Sequence, residues 1–264
     1  MSSGFAAQVT KPDQLYKDFI QKRQFSDTDC QALGLELLDP TQTFDLLGHT
    51  KEWAIKLPYF DMSGQPTNFN RVRILTPKGK MKYSQPRASG SHIYFPPTTN
   101  WKLVAQDVDI PIIITEGEFK AWQLTKQIAA DQLNYAALGL AGVTSWTDKS
   151  GLHLHSDLMK IAWRRKTSFA DKHRKVHIIF DYDGAGDDGE PNEQVGMAET
   201  KLAVTLRGLG AEVHLCRVGR FGPGKGSKYA IDDHLLNGGT LGQVLASTST
   251  VMNGIDTLET KLYE

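Results

Sequence analysis

Beyond about residue 106, short apolar runs alternate with stretches of helical spacing. Pro111-Ile112-Ile113-Ile114-Thr115 has the continuous hydrophobicity of a strand buried on both faces. Phe119, Trp122 and Ile128 then repeat at helical spacing and predict a helix over Glu118–Ala130. Tyr135–Leu140 reads as a second strand, ending near Gly139 and Gly142, and a polar helix is expected between His155 and Thr167. Val176–Phe180 is a third strand that runs directly into Asp181. Val195, Ala198, Leu202, Leu206 and Leu209 form one stripe of a helix over Gln194–Leu209, and Gly210 is placed to stop it. Ala211–Val218 reads as a fourth strand. Repeated strand–helix units predict a parallel sheet covered by helices, with ligands bound beyond the carboxyl ends of its strands. Glu116, Asp181 and Asp183 all fall at such ends.

The first hundred residues follow other rhythms. Residues 1–50 read as mostly helical, with Leu15, Phe19 and Ile20 on one face and a short second element around Leu33–Leu38. Residues 52–104 look β-rich. Phe69–Leu75 alternates as a strand, Pro77-Lys78-Gly79-Lys80 makes a turn, and Lys82-Tyr83-Ser84 returns. Ile93-Tyr94-Phe95 is a strand stopped by Pro96-Pro97. The expected organisation is an α+β, basic domain over residues 1–105, an α/β domain over 106–240, and a tail or helix over 241–264.

Zero net charge at first argues against a nucleic-acid protein, yet the charges are segregated. Between Met62 and Gln106 there is no acidic residue, against Arg71, Arg73, Lys78, Lys80, Lys82, Arg87 and Lys102. Asp181, Asp183, Asp187, Asp188, Glu190 and Glu193 crowd the short stretch that follows the third strand. One region suits phosphates and the other divalent cations. The two cysteines, Cys30 and Cys216, are too far apart in sequence for a disulfide framework or a zinc ribbon. No apolar run reaches membrane-helix length and no signal peptide is evident, so the expected setting is cytoplasmic.

Ile112-Ile113-Ile114-Thr115-Glu116-Gly117-Glu118, followed later by Ile178-Ile179-Phe180-Asp181-Tyr182-Asp183-Gly184, resembles the two defining motifs of the Toprim domain. That domain is shared by bacterial-type primases, type IA and II topoisomerases and some nucleases. The Asp-x-Asp-x-x-Gly form is most like the primase and primase–helicase branch of phages and plasmids. Lys228-Tyr229-Ala230-Ile231-Asp232-Asp233 resembles the family's late acidic motif, and the likeness covers about residues 108–238. It implies a Toprim-like parallel sheet flanked by helices, and Mg2+ or Mn2+ held by Glu116, Asp181 and Asp183, with Asp232 and Asp233 as further ligands. Magnesium wants hard oxygen donors, which carboxylates and substrate phosphates supply. Metals bridging attacking and leaving oxygens stabilise the charge that develops in phosphoryl transfer.

Other readings compete with parts of this pattern. Asp187, Asp188, Glu190 and Glu193 read as a solvated loop and helix start rather than ligands. Gly219–Gly226 is close to a P-loop, but glycine follows Lys225 where a hydroxyl is required, so a basic phosphate-contact loop including Lys225 and Lys228 is expected instead. Phe180–Gly184 also resembles the first motif of haloacid-dehalogenase-like phosphatases, although there it normally opens the catalytic domain.

The expected activity is primer synthesis on a single-stranded DNA template from nucleoside triphosphates, in replication of a mobile element and with a helicase or other replication protein as partner. Arg71, Arg73, Lys80, Lys82, Tyr83, Arg87, Lys120, Lys225 and Lys228 are the expected nucleic-acid or nucleotide contacts. Tyr94, Phe95 and Trp101 are further candidates for stacking on bases, against the alternative that they are core. A Toprim nuclease and a non-catalytic replication-associated binding module are the other two functions the residues allow.

Overall fold

A computed structural model describes residues 11–79, 81–184, 190–224 and 226–248. The described residues form two compact units, one within 1–59 and 66–89 and one within 60–65 and 90–264.

In the first unit, helices α1 (Lys11–Lys22), α2 (Asp27–Leu33) and α3 (Pro40–Leu47) accompany strands β1 (Glu36–Leu38), β2 (Ala54–Phe60), β3 (Pro66–Ile74) and β4 (Tyr83–Ser84). The strands form one sheet in the order β1-β2-β3-β4. The return anticipated from Phe69–Leu75 to Lys82–Ser84 is present: Val72 lies opposite Ser84 and Arg73 opposite Tyr83. The expected turn Pro77–Lys80 includes Lys80, outside the described residues. Leu38, Leu47, Ala54, Val72 and Ile74 make the local core. The short element expected around Leu33–Leu38 coincides with β1, while β2 and α3 were not anticipated individually. The start of α3 is written in Asp39, whose carboxylate accepts from the Thr41 and Gln42 amides ahead of Pro40.

The second unit holds β5 (Ile93–Tyr94), α4 (Trp101–Gln106), β6 (Ile112–Glu116), α5 (Glu118–Ala130), β7 (Ala136–Leu140), α6 (Ser156–Met159), β8 (Arg164–Lys166), β9 (Asp171–His173), β10 (Lys175–Ile179), α7 (Glu193–Gly208), β11 (Glu212–Leu215), α8 (Ile231–Leu236) and α9 (Leu241–Ala246). Its main sheet has the order β11-β10-β6-β7-β5. β11, β10, β6 and β7 are parallel, and β5 joins β7 antiparallel. That pairing groups residues from Gly90 onward with the second unit, whereas the sequence reading put the change at residue 105.

Alternate strand residues serve two cores, as the period of two requires. Ile112, Ile114, Leu138, Val176, Ile178 and Leu215 pack with Trp101, Leu202 and Leu206 on one face. Ile113, Ala137 and Ile179 pack with Leu124, Ile128, Ile231, Leu235 and Val244 on the other. The sheet is thus covered on both sides, which is why its strands read as continuous apolar runs.

Two expectations are corrected. The helix anticipated over His155–Thr167 is only the short α6, followed by the exposed hairpin β8–β9, whose Arg164↔His173 pairing closes it. Trp163 is buried and its indole N–H donates to the Leu158 carbonyl, so the chain turns back there rather than continuing as a helix. Tyr94, Phe95 and Trp101 are at most 2% exposed, so they are core and not stacking platforms. Beyond Thr248 the anticipated C-terminal tail lies outside the described residues.

Candidate functional site

The carboxyl edge of the parallel strands carries the acids. β6 ends on Glu116, and the next residue, Gly117, turns at φ 94°, a conformation that favours glycine, to start α5. Its amide donates to the Leu140 carbonyl at 2.7 Å, tying this turn to the end of β7. The approach is so close that a Cβ on Gly139 would stand 2.7 Å from the Gly117 carbonyl oxygen. Ile179 of β10 lies opposite Thr115, so Asp181 falls just beyond the level of Glu116.

Lys120 sits in the first turn of α5. Helical side chains lean toward the N-terminus, which carries its ammonium back toward the sheet edge. There Nζ bonds Asp181 Oδ2 at 2.5 Å, with 18% and 33% of the two side chains exposed. Burial pushes the Asp181 carboxyl up to about 6; Lys120 opposes this, and the negative charges of Glu116 and Asp232 add to it. Burial works against the Lys120 ammonium, but Asp181, Asp232 and Glu116 together hold it above the ordinary lysine value. Glu116, Asp181, Asp232 and Lys120 therefore share one electrostatic field.

Asp183 is placed by a different device. Asn192 caps α7 by accepting from the Val195 amide at 2.9 Å, and its Nδ2 donates to Asp183 Oδ2. One side chain thus starts the helix and orients the second aspartate. Tyr182 between the two aspartates pairs with Tyr229 through two backbone hydrogen bonds of 2.9 and 2.8 Å. At Gly184, φ is 82°, and an added Cβ would meet the Ser227 amide nitrogen at 2.7 Å. The Asp181–Gly184 loop is therefore stitched to residues 226–229.

Asp232 and Asp233 separate in role. Asp232 faces the Lys120–Asp181 pair electrostatically, whereas Asp233 Oδ2 accepts from the Ala230 amide at 3.1 Å and closes the start of α8. Behind the loop, Arg217, past the end of β11, bonds Glu190 at 2.5 Å and Glu199 at 2.8 and 3.0 Å. Burial pushes Glu199 up to about 7, and Glu190 adds to this against the pull of Arg217. Asn192 and this buried network escaped the sequence reading. Pro191-Asn192-Glu193 before a periodic run was the available signal for Asn192, but pairing of Arg217 with two acids of another segment leaves no local trace.

The donor set suits a divalent cation in kind. Asp181 Oδ1 is buried without a hydrogen-bond partner, as a ligand oxygen awaiting a cation would be. Among the described residues, however, no three His, Cys, Asp or Glu side chains are already gathered around one point, and Lys120 supplies the counter-charge instead. A groove of about 800 Å³ opens beside Asn192 and is lined by Trp146, Leu152, Pro191, Met197 and Val204.

The expected nucleic-acid contacts are distributed over both units. In the first, Tyr83 is half-buried, with the Arg71 and Arg73 guanidinium carbons 5.2 and 5.0 Å from its ring centre. Arg71 is buried, while Lys82 and Arg87 are exposed. In the second, Lys228 is exposed and Lys120 is engaged by Asp181. Lys80 and Lys225 lie outside the described residues, as do Asp187 and Asp188. Val218–Phe221 forms a single 3-10 turn and the next helix is the six-residue α8, so Gly219–Gly226 does not lead into a long P-loop helix. Among the described residues no helix is long and apolar enough to cross a membrane.

Residues 100–241 match the family described as "Domain of unknown function (DUF3854)". No curated protein sequence matches the chain. The fold is that of primase catalytic domains. The zinc-binding and RNA polymerase domains of Aquifex aeolicus primase superpose with a TM-score of 0.57 at 13% identity, over 94% of this chain and 60% of that one. The RNA polymerase domain of Mycobacterium tuberculosis primase DnaG gives 0.57 at 11% identity, over 93% of this chain and 80% of that one. A DnaG primase catalytic domain bound to single-stranded DNA gives 0.56 at 13% identity, over 90% and 73%. This chain thus spans less than two thirds of the Aquifex chain.

Proposed function

The chain belongs to this family of unknown function, and we propose that its second unit is a Toprim-type nucleotidyltransferase domain that joins nucleotides on single-stranded DNA during replication of a mobile element. One observation carries the reading: Asp181, at a carboxyl strand end, keeps a buried unpartnered oxygen in the common field of Glu116, Asp232 and Lys120. The fold shared with primase catalytic domains supports it at the level of architecture.

In this proposal Asp181, Glu116 and Asp183 would hold Mg2+ or Mn2+, and Asp232 would help to balance its charge. The bound cation would neutralise charge on the transferring phosphate oxygens. Lys120 is the counter-ion that keeps Asp181 ionised; a divalent cation would replace it as the partner of Asp181 and leave its ammonium for a substrate phosphate. Asn192 fixes Asp183 so that the carboxylate is oriented before substrate arrives, which limits reorganisation during the reaction. The Gly117–Leu140 hydrogen bond fixes the backbone of the strand end that carries Glu116. Arg73, Lys82 and Arg87 of the first unit neutralise template phosphates, giving salt-sensitive binding. Lys228 serves the same purpose beside the Asp181–Gly184 loop.

The test is incubation with single-stranded DNA, labelled nucleoside triphosphates and Mg2+ or Mn2+, followed by product sizing. New short oligomers that disappear in Asp181→Asn are the expected result. Shortened template would instead identify a nuclease, and retention of the DNA without product would identify a binding module.

A further inference from the structure

We propose that the β8–β9 hairpin is a separate contact for single-stranded nucleic acid, with Phe169 stacking on an unpaired base and neighbouring cations on the flanking phosphates. The hairpin projects from the amino end of β10, whereas the carboxylates lie past its other end. The five residues of β10 separate them by roughly 17 Å at strand rise. The inference concerns a different surface from the carboxylate site and does not depend on a metal there.

The hairpin is rigidly rooted. Arg174, fully buried between it and β10, donates to the carbonyls of Val104, Ile110 and Ala162 at 2.6–2.7 Å. The Arg174 amide also donates to the Trp163 carbonyl at 2.8 Å. Arg165 and Lys172 are cross-strand neighbours of like charge, a costly pairing by itself. Asp109 offsets it, bonding Arg165 at 3.1 Å and Lys172 at 2.8 Å and pinning that face to the domain. Thr167 orders the tip: its hydroxyl accepts from the Phe169 and Ala170 amides at 3.3 and 3.0 Å.

On this ordered tip Phe169 is 98% exposed. Its neighbours Thr167, Ser168 and Ala170 are small, so it is a lone ring with open faces rather than part of an apolar patch built for a protein partner. Between Lys160 and Lys175 the chain holds seven Lys and Arg, of which Lys160 pairs with Asp157, Arg165 and Lys172 share Asp109, and Arg174 is buried on carbonyls. Arg164 is paired with Asp171, but exposed Lys166 and Lys175 form no salt bridge among the described residues. Positive charge around an open aromatic face matches a phosphate backbone carrying unstacked bases.

The test is fluorescence anisotropy of a labelled oligothymidylate with the full chain in EDTA, which separates this surface from any metal-dependent step. Phe169→Ala should weaken binding about 5- to 100-fold, as expected for loss of one base–aromatic stack. Lys166→Glu should weaken it and flatten its salt dependence. Phe169→Trp should keep the affinity, and its emission over that of wild type should be quenched when the oligonucleotide is added. Wild-type affinity in Phe169→Ala, an unquenched Trp in Phe169→Trp, or an equal loss on blunt duplex DNA would each overturn the proposal. So would a Phe169→Ala phenotype confined to capture of a protein.

Discussion

Replacing Lys120 by Met keeps the length of the side chain in the first turn of α5 and removes only its charge. Asp181 then loses its 2.5 Å partner while Glu116 and Asp232 continue to raise its proton affinity. Exposed ion pairs contribute about 0–1 kcal/mol, and breaking a buried one costs about 3–5 kcal/mol. With 18% and 33% of the two side chains exposed, the expected loss lies between these, about 1–3 kcal/mol. Its pH dependence has a definite sign. Burial already raises Asp181 to about 6 in the native protein, and loss of Lys120 raises it further. Below that value the carboxyl is protonated in both proteins and the variant loses nothing. As pH rises past it, the variant must either keep a proton or bury an unpaired charge, and the deficit grows. Urea denaturation with a chelator present, from about pH 5 to about pH 8, measures it. A deficit equal at both ends, or absent at the alkaline end, would refute the assignment of Lys120 as the resident counter-ion.

Further outcomes follow from neighbouring features. Gly139→Ala places a Cβ 2.7 Å from the Gly117 carbonyl oxygen, so thermal unfolding should show a loss of about 1–3 kcal/mol from overpacking, and cation binding should weaken as Glu116 shifts. Glu199, held up to about 7 by burial, binds a proton in the native state that the unfolded chain releases at lower pH. Native stability should therefore fall as pH rises from about 4.5 to about 7, by on the order of 3 kcal/mol. Glu199→Gln should remove that part of the slope and leave the contribution of Asp181 in the same denaturation series. Arg174→Met leaves the Val104, Ile110 and Ala162 carbonyls without their donor, and the melting temperature should drop by an amount equivalent to about 3 kcal/mol or more. Intact stability there would contradict the rooting of the hairpin.

The architecture of the second unit was legible because its strands are buried on both faces and its helices are long. The helix expected over Glu118–Ala130 has those bounds, and the parallel order follows from the repeated strand–helix units. Shorter elements were harder. β2 and α4 carry no strong periodicity, and the stretch after α6 lacks the apolar stripe that distinguishes a helix from a charged hairpin. Burial of aromatics was also hidden: Tyr94, Phe95 and Trp101 sit in a basic stretch, yet β5 joins the main sheet and takes them into its core. At the site, the sequence pointed to the acids but not to their partners. Lys120 was expected at a phosphate, although the lean of helical side chains toward the N-terminus already directed it at the strand ends. Asn192 went unread although Pro191-Asn192-Glu193 carries a helix-start signal, and its second role at Asp183 depends on a return of the chain that no local pattern encodes.

Uptake of a divalent cation by these acids is the most direct test of the proposed chemistry. Mn2+ titration followed by electron paramagnetic resonance reports free ion and needs no substrate. Saturable uptake by the wild type, strongly weakened in Asp181→Asn and in Glu116→Gln while circular dichroism is unchanged, is the predicted result. Uptake that is absent from the wild type, or indifferent to both substitutions, would contradict it.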